Sequence, residues 1–152
     1  MAVHIGDPAP AFELKDQQKE PVSLDTFKGT KSLIVFIPFP FTGICEGELC
    51  VIRDGLAELN ALDASVIAVT CDTIPTNAKW SEINGFEFRV LSDFWPHGET
   101  ARAYGAFNEA LGCANRVTYV LDEEGIVRDI IASEGLGTAR EFDLYTKALA
   151  AV

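Results

Sequence analysis

Cysteine is the residue through which this chain could do covalent chemistry, and it occurs four times, as Cys45, Cys50, Cys71 and Cys113. Cys45 stands apart by its surroundings. It closes the run Pro38-Phe39-Pro40-Phe41-Thr42-Gly43-Ile44-Cys45. The apolar segment Leu33-Ile34-Val35-Phe36-Ile37 precedes this run and reads as a buried strand, and a helical pattern follows it. Cys45 therefore falls in the first turn of a helix at the mouth of a strand–loop–helix unit. The first N–H groups of a helix have no partner within it, and the macrodipole favours negative charge there. A thiol at that point is favoured as the thiolate, the form that attacks electrophiles. Pro38 cannot donate a backbone hydrogen bond, and Phe39 and Phe41 limit the access of water. The competing reading is a buried cysteine acting as a small hydrophobe.

Cys50 follows Cys45 by five residues. Five helical residues turn the chain by roughly 140° and raise it by about 7.5 Å, so the two side chains diverge in an intact helix. A disulfide needs Cα atoms about 4.4–6.8 Å apart. A Cys45–Cys50 bond would require the first turns to unwind, and Gly47 makes that easier. Cys50 is either a thiol that resolves an oxidised Cys45 or a half-exposed incidental one. Cys71 ends an apolar run and reads as a buried structural thiol. Cys113 lies near Arg116 in sequence and could be exposed. The cysteine spacings match no zinc pattern and the 2 histidines are remote from them. His97 alone therefore makes no metal site.

The elements that must hold these residues follow from periodicity. Ala11 to Leu14 and Val22 to Leu24 read as a short hairpin around the polar turn Asp16 to Glu20, and Asp25 to Gly29 as a single turn. Ser32 to Ile37 is a central strand. Apolar residues at Cys45, Leu49, Ile52, Leu56 and Leu59 repeat at helical spacing and predict one continuous amphipathic helix. Ser65 to Cys71 reads as a parallel strand, Pro75 to Ile83 as a helix, Phe88 to Leu91 as a strand and Glu99 to Tyr104 as a helix stopped by Gly105. Val117 to Leu121 and Ile126 to Ala132 form a hairpin about Asp122 to Gly125. Ala139 to Ala150 is a final amphipathic helix. Strands alternating with helices predict a three-layer α/β sandwich in one domain spanning residues 1–152.

Composition narrows the function. Acidic residues outnumber basic ones 23 to 12 for a net charge of −11. With no basic cluster, nucleic acid and anionic membrane surfaces are poor partners. No stretch approaches the roughly 20 apolar residues of a spanning helix, and the N-terminus shows no leader pattern. These features predict a cytoplasmic protein, in which thiols stay reduced and any disulfide is transient.

Pro38, Thr42 and Cys45 together match the Pro-x-x-x-Thr-x-x-Cys signature, and on it the chain resembles the peroxiredoxins. The segments Phe41 to Leu49, Leu91 to Gly98 and Ala114-Asn115-Arg116 are similar to the actinobacterial alkyl hydroperoxide reductase E type. The resemblance implies a thioredoxin-like fold with an N-terminal extension. It implies a thiol peroxidase that reduces hydrogen peroxide and organic hydroperoxides through a cysteine sulfenic acid, with no cofactor. Cys45 would be the peroxidatic residue. Arg116 would lie beside it, Thr42 would bind peroxide or serve as an N-cap, and Pro38 would stand with them in the catalytic set. Glu48 would orient the arginine or remain a solvated first-turn carboxylate. Cys50 departs from the one-cysteine pattern of that type and resembles the resolving cysteine of the Q-type peroxiredoxins. The implied reductant is mycothiol with mycoredoxin, or thioredoxin if Cys50 resolves. The loop Phe94-Trp95-Pro96-His97, with Phe41 and Phe107, would border a homodimer interface or pack as ordinary aromatics. Two other readings use the same sequence. A disulfide oxidoreductase would need Cys-x-x-Cys, which is absent. A peroxide-sensing relay would use the same cysteine without significant turnover.

Overall fold

A computed structural model describes residues 3–152; Met1 and Ala2, at the head of the N-terminal stretch read for a leader, lie outside the described residues. Strand β1 (Glu13–Lys15) and strand β2 (Pro21–Ser23) form the expected hairpin, followed by a single 3-10 turn over Leu24–Phe27. The next elements are β3 (Lys31–Phe36), α1 (Gly43–Asp54), α2 (Leu56–Ala61), β4 (Ala64–Thr70), α3 (Ile74–Asn84), β5 (Arg89–Ser92) and α4 (Glu99–Tyr104). A two-residue hairpin follows, β6 (Phe107–Asn108) and β7 (Cys113–Ala114), and then β8 (Val117–Leu121), β9 (Val127–Ala132) and α5 (Phe142–Ala150).

Seven strands make one sheet in the order β2-β1-β5-β4-β3-β8-β9. Its centre is parallel: β3 pairs with β4 from Lys31↔Ala64 to Phe36↔Val69, and β4 pairs with β5. On the other side of β3, β8 runs antiparallel, with Ile34 opposite Tyr119. A strand covered on both faces has no polar side to show, which is why β3 and β4 read as unbroken apolar runs. Alternation along β3 feeds two cores. Leu33, Val35 and Ile37 pack with Cys45, Leu49 and Ile52 of α1, Leu59 of α2, Trp80 of α3 and Leu149 of α5. Ile34 and Phe36 pack on the opposite face with Ala101 and Tyr104 of α4 and with Phe12 and Leu24 from the N-terminal segment. Helices and extended chain thus cover both faces of the sheet, the three-layer α/β arrangement predicted. No helix of the described residues is long and apolar enough to cross a membrane.

Three elements depart from the sequence reading. The long amphipathic helix is interrupted at Gly55, which caps α1 before α2 begins. The Phe142 ring fills the space that a Cβ at Gly55 would take, so only glycine admits α5 at this point. The last helix begins at Phe142 and not at Ala139, because the Arg140 N–H is bound elsewhere, as described below. The β6–β7 hairpin was not expected, and Cys113, for which the sequence allowed exposure, is buried in it.

Candidate active site

The loop between β3 and α1 ends on a constrained turn. Pro38 and Pro40 are buried, while Phe41 takes a left-handed backbone with φ of 65°. A non-glycine residue rarely adopts that conformation outside sites where the surroundings enforce it. The turn aims the chain into α1, whose N-cap residue is Thr42. Thr42 caps with its backbone only: its carbonyl accepts the Glu46 N–H at 2.9 Å, while its hydroxyl donates to the Phe39 carbonyl at 2.7 Å. With its one proton committed, the exposed Thr42 Oγ offers its lone pairs outward. The amides of Gly43, Ile44 and Cys45 have no hydrogen-bond partner among the described residues. Cys45 is wholly buried, one residue inside an exposed first turn made of Thr42, Gly43 and Ile44.

One turn further along α1, Glu48 faces inward and is nearly sealed from solvent. Its Oε1 accepts Arg116 Nη1 at 2.6 Å and Arg140 Nη2 at 2.9 Å. Its Oε2 accepts the Arg140 backbone N–H at 2.7 Å and Arg140 Nε at 2.9 Å. Burial by itself raises the carboxyl pKa, but the hydrogen bonds and charge of Arg140, joined by the charge of Arg116, outweigh it and hold Glu48 below the usual carboxylate range. Glu48 is therefore not the solvated first-turn carboxylate. Arg116 is fixed a second time, by Nε donating to the Leu136 carbonyl at 2.7 Å. Arg140 Nη1 reaches Thr118 Oγ1 at 3.1 Å, and that hydroxyl pairs with Tyr145 at 3.0 Å. Burial raises the Tyr145 phenol.

Two guanidinium groups against one carboxylate leave one positive charge uncompensated in this buried network, immediately under the first turn of α1. Residues three apart on a helix are neighbours, about 5–6 Å between Cβ atoms, so Cys45 and Glu48 stand one above the other. Arg116 Nη2 has no partner among the described residues, yet it is not among the sealed, unsatisfied polar atoms. It is the free donor of the network. The Nη1 bond to Glu48 ties Arg116 to α1 one turn beyond Cys45.

Cys50 is half-buried on the flank of α1 and its thiol faces Asn84 Oδ1 at 3.8 Å. Cys71 is buried at the end of β4, and desolvation pushes its thiol up to about 12. Burial raises Cys113 as well, with the charge of Cys45 adding to it. All four thiols are free. His97 ties two loops, with Nδ1 at 3.1 Å from the Phe94 carbonyl and Nε2 at 2.7 Å from the Gly112 carbonyl. Among the described residues no cluster of three or more histidine, cysteine or acidic side chains is placed to hold a metal.

The structure thus gathers Cys45, Thr42, Pro38, Glu48 and Arg116 around the start of α1. Arg140 completes the set and was missed. Its signal was indirect: a carboxylate flanking the apolar stripe of α1 must find donors if it turns inward, and an arginine ahead of the last helix is one source.

The model of the AhpC/TSA family matches residues 5–130. The chain is 44% identical to alkyl hydroperoxide reductase E of Mycobacterium tuberculosis over 151 residues, covering 99% of this chain and 98% of that protein. Among solved structures, the peroxidoxin BcpB of Mycobacterium tuberculosis superposes with a TM-score of 0.87 at 29% identity, covering 97% of each chain. The AhpC of Enterococcus faecalis superposes with a TM-score of 0.90 at 26% identity, covering 99% of this chain and 92% of that one.

Proposed function

This chain belongs to the AhpC/TSA family, it is a peroxiredoxin and so a thiol-dependent peroxidase, and on that premise we propose how its residues divide the work. The Cys45 thiolate attacks the terminal oxygen of a hydroperoxide. The O–O bond breaks, the sulfur becomes a sulfenic acid, and the other oxygen leaves as alkoxide or hydroxide and takes up a proton to give alcohol or water. Negative charge moves from sulfur to the leaving oxygen during the step. The single observation that carries this reading is the surplus positive charge of the Arg116–Glu48–Arg140 network beneath three unpaired amides. Such fixed donors stabilise the developing charge without reorganising.

In this division, Arg116 Nη2 and the Ile44 and Cys45 amides face the peroxide oxygens. Thr42 Oγ accepts the peroxide hydrogen, while its own proton stays in the hydrogen bond it donates to the Phe39 carbonyl. Glu48 and Arg140 do not touch the peroxide; they hold Arg116. Pro38 and its aromatic neighbours keep bulk water from the thiol. Cys50 resolves the sulfenic acid after α1 unwinds, releasing water and leaving a Cys45–Cys50 disulfide for thioredoxin to reduce. Without that step, mycothiol with mycoredoxin returns Cys45 to the thiol. The chain acts as one domain, in the cytoplasm, as a homodimer. Exposed Phe41, Phe94 and Trp95, the last 82% exposed, support an aromatic interface beside the site.

Single-turnover oxidation tests the core of the reading. One equivalent of hydrogen peroxide added to reduced protein should be consumed far faster than by free cysteine, with a change in tryptophan emission and turnover on addition of a thiol. Oxidation no faster than free cysteine would refute it. Intact mass then separates the fates of Cys45, since loss of two hydrogens marks the disulfide and gain of one oxygen marks a persisting sulfenic acid. Sedimentation of the reduced protein, with Trp95→Ala as the dissociating variant, tests the dimer.

A further inference from the structure

We propose that Asn84, acting with Glu46 and Trp80, is a latch that keeps the first turn of α1 wound and parks the Cys50 thiol away from Cys45. The proposal rests on the reading of Cys45 as the oxidised residue and Cys50 as its resolving partner. It assigns positioning roles to three residues that take no part in the peroxide step.

The contacts converge on one side chain. Glu46 follows Cys45 directly, and its Oε1 accepts the Trp80 indole N–H at 3.1 Å and Asn84 Nδ2 at 3.1 Å. The same Asn84 amide nitrogen donates to the Trp80 carbonyl at 3.0 Å, which fixes the plane of the amide. Its other end, Oδ1, accepts from the Cys50 thiol. Asn84 therefore grips α1 on both sides of Gly47. Gly47 is exposed, and nothing lies within 4 Å of where its Cβ would be, so the helix can open there without displacing a neighbour. Beyond Cys50 the attachment differs. Arg53 Nη1 donates to the Asn84 carbonyl at 2.8 Å, a main-chain contact that persists when the Asn84 side chain is changed. The movable segment is bounded in consequence: residues 43–46 can unwind while Glu48, held by its four hydrogen bonds, and the rest of α1 stay docked.

Winding decides the fate of the sulfenic acid. In the unwound state Cys45–SOH and Cys50–SH give the disulfide and water. In the wound state Cys45–SOH meets a second hydroperoxide and becomes the sulfinic acid, with release of an alcohol or water. A tighter latch favours the second route and a looser one the first.

Asn84→Asp keeps the shape of the side chain but sets a carboxylate against Glu46. Losing charge-assisted hydrogen bonds of this kind should raise opening roughly tenfold. Backbone hydrogen exchange of reduced protein is the direct measure. The amides of residues 46–50, whose acceptors lie in residues 42–46, should exchange faster in Asn84→Asp, while those of 51–54, whose acceptors are residues 47–50, are unchanged. In single turnover the disulfide should form faster, and the peroxide concentration giving half sulfinic acid should rise by a similar factor. Glu46→Ala removes the other half of the latch from a partly exposed position and should act in the same direction. Exchange of the 46–50 amides unchanged in both variants would overturn the latch. If instead exchange rises and no variant loses two hydrogens on oxidation, the latch stands as a fastening of α1, and the assignment of Cys50 and the control of its chemistry are overturned.

Discussion

Replacing Glu48 by glutamine is the sharpest probe of the buried network. The carboxylate accepts four N–H donors, two on each oxygen. An amide of the same shape keeps one acceptor oxygen and turns an NH₂ toward the other pair. Whichever way it is flipped, two donors lose their acceptor and the two guanidinium charges face each other without a carboxylate between them. Breaking a buried ion pair from one side costs about 3–5 kcal/mol. For a chain of this size each kcal/mol moves Tm by about 2–4 °C, so Glu48→Gln should melt about 6–20 °C below the parent at pH 7. The pH dependence fixes the cause. The folded pKa of Glu48 is depressed, so its contribution is complete above the ordinary carboxylate value of 4.5 and is lost as pH falls through the folded value. The gap in Tm between parent and variant should be constant above about pH 5 and should close as the pH drops below 4.5. Peroxide reactivity, followed by stopped-flow tryptophan fluorescence, should fall by roughly 10–100-fold in the variant, since Arg116 loses one of its two anchors. A variant as stable as the parent, or a gap that does not narrow in acid, would refute the claim that the carboxylate is charged and binds the network together.

Cys45→Ser should abolish peroxide turnover with the melting temperature little changed, measured by peroxide consumption with an excess of thiol. Arg116→Met should retain the fold and lower the oxidation rate by about 10²–10³-fold, the range found on removing one fixed donor from a developing charge. Gly55→Ala should destabilise by about 1–3 kcal/mol in urea despite the better helix propensity of alanine, because the new methyl meets the Phe142 ring. Alkylation of the native protein at pH 8 should leave Cys71 unlabelled, since burial holds its thiol near 12, and labelling should require unfolding.

The elements legible from sequence are those whose patterns are long and whose partners are local. β3, β4 and α3 were placed within a residue or two because their apolar runs or caps are their own. Thr73 caps α3 by accepting from Thr76, and Gly85 ends it in a left-handed conformation, both visible as residue types. The position of Cys45 followed from the same local logic. What escaped depends on residues far away in the chain. Ala139-Arg140-Glu141 has strong helix propensity, yet Arg140 is drawn out of the helix by a carboxylate 92 positions earlier. The break at Gly55 answers to Phe142, which no window around Gly55 contains. β6 and β7 have two residues each, too few to show a period. Arg116 beside the first turn of α1 came from family likeness and not from spacing, since 68 residues separate it from Glu48.

The route by which Glu48 is satisfied has a bearing on how the protein is made. The family match closes at residue 130, but three of the four donors on this carboxylate belong to Arg140, and the hydroxyl that backs them belongs to Tyr145 in α5. A nascent chain stopped short of Arg140 can pair the sheet and wind α1, but it leaves the anion beside the reactive sulfur short of partners. On the proposed roles of Cys45 and Arg116, a product truncated before Arg140 should lose peroxidase activity together with stability, a loss that activity and melting measurements on the truncated chain would show.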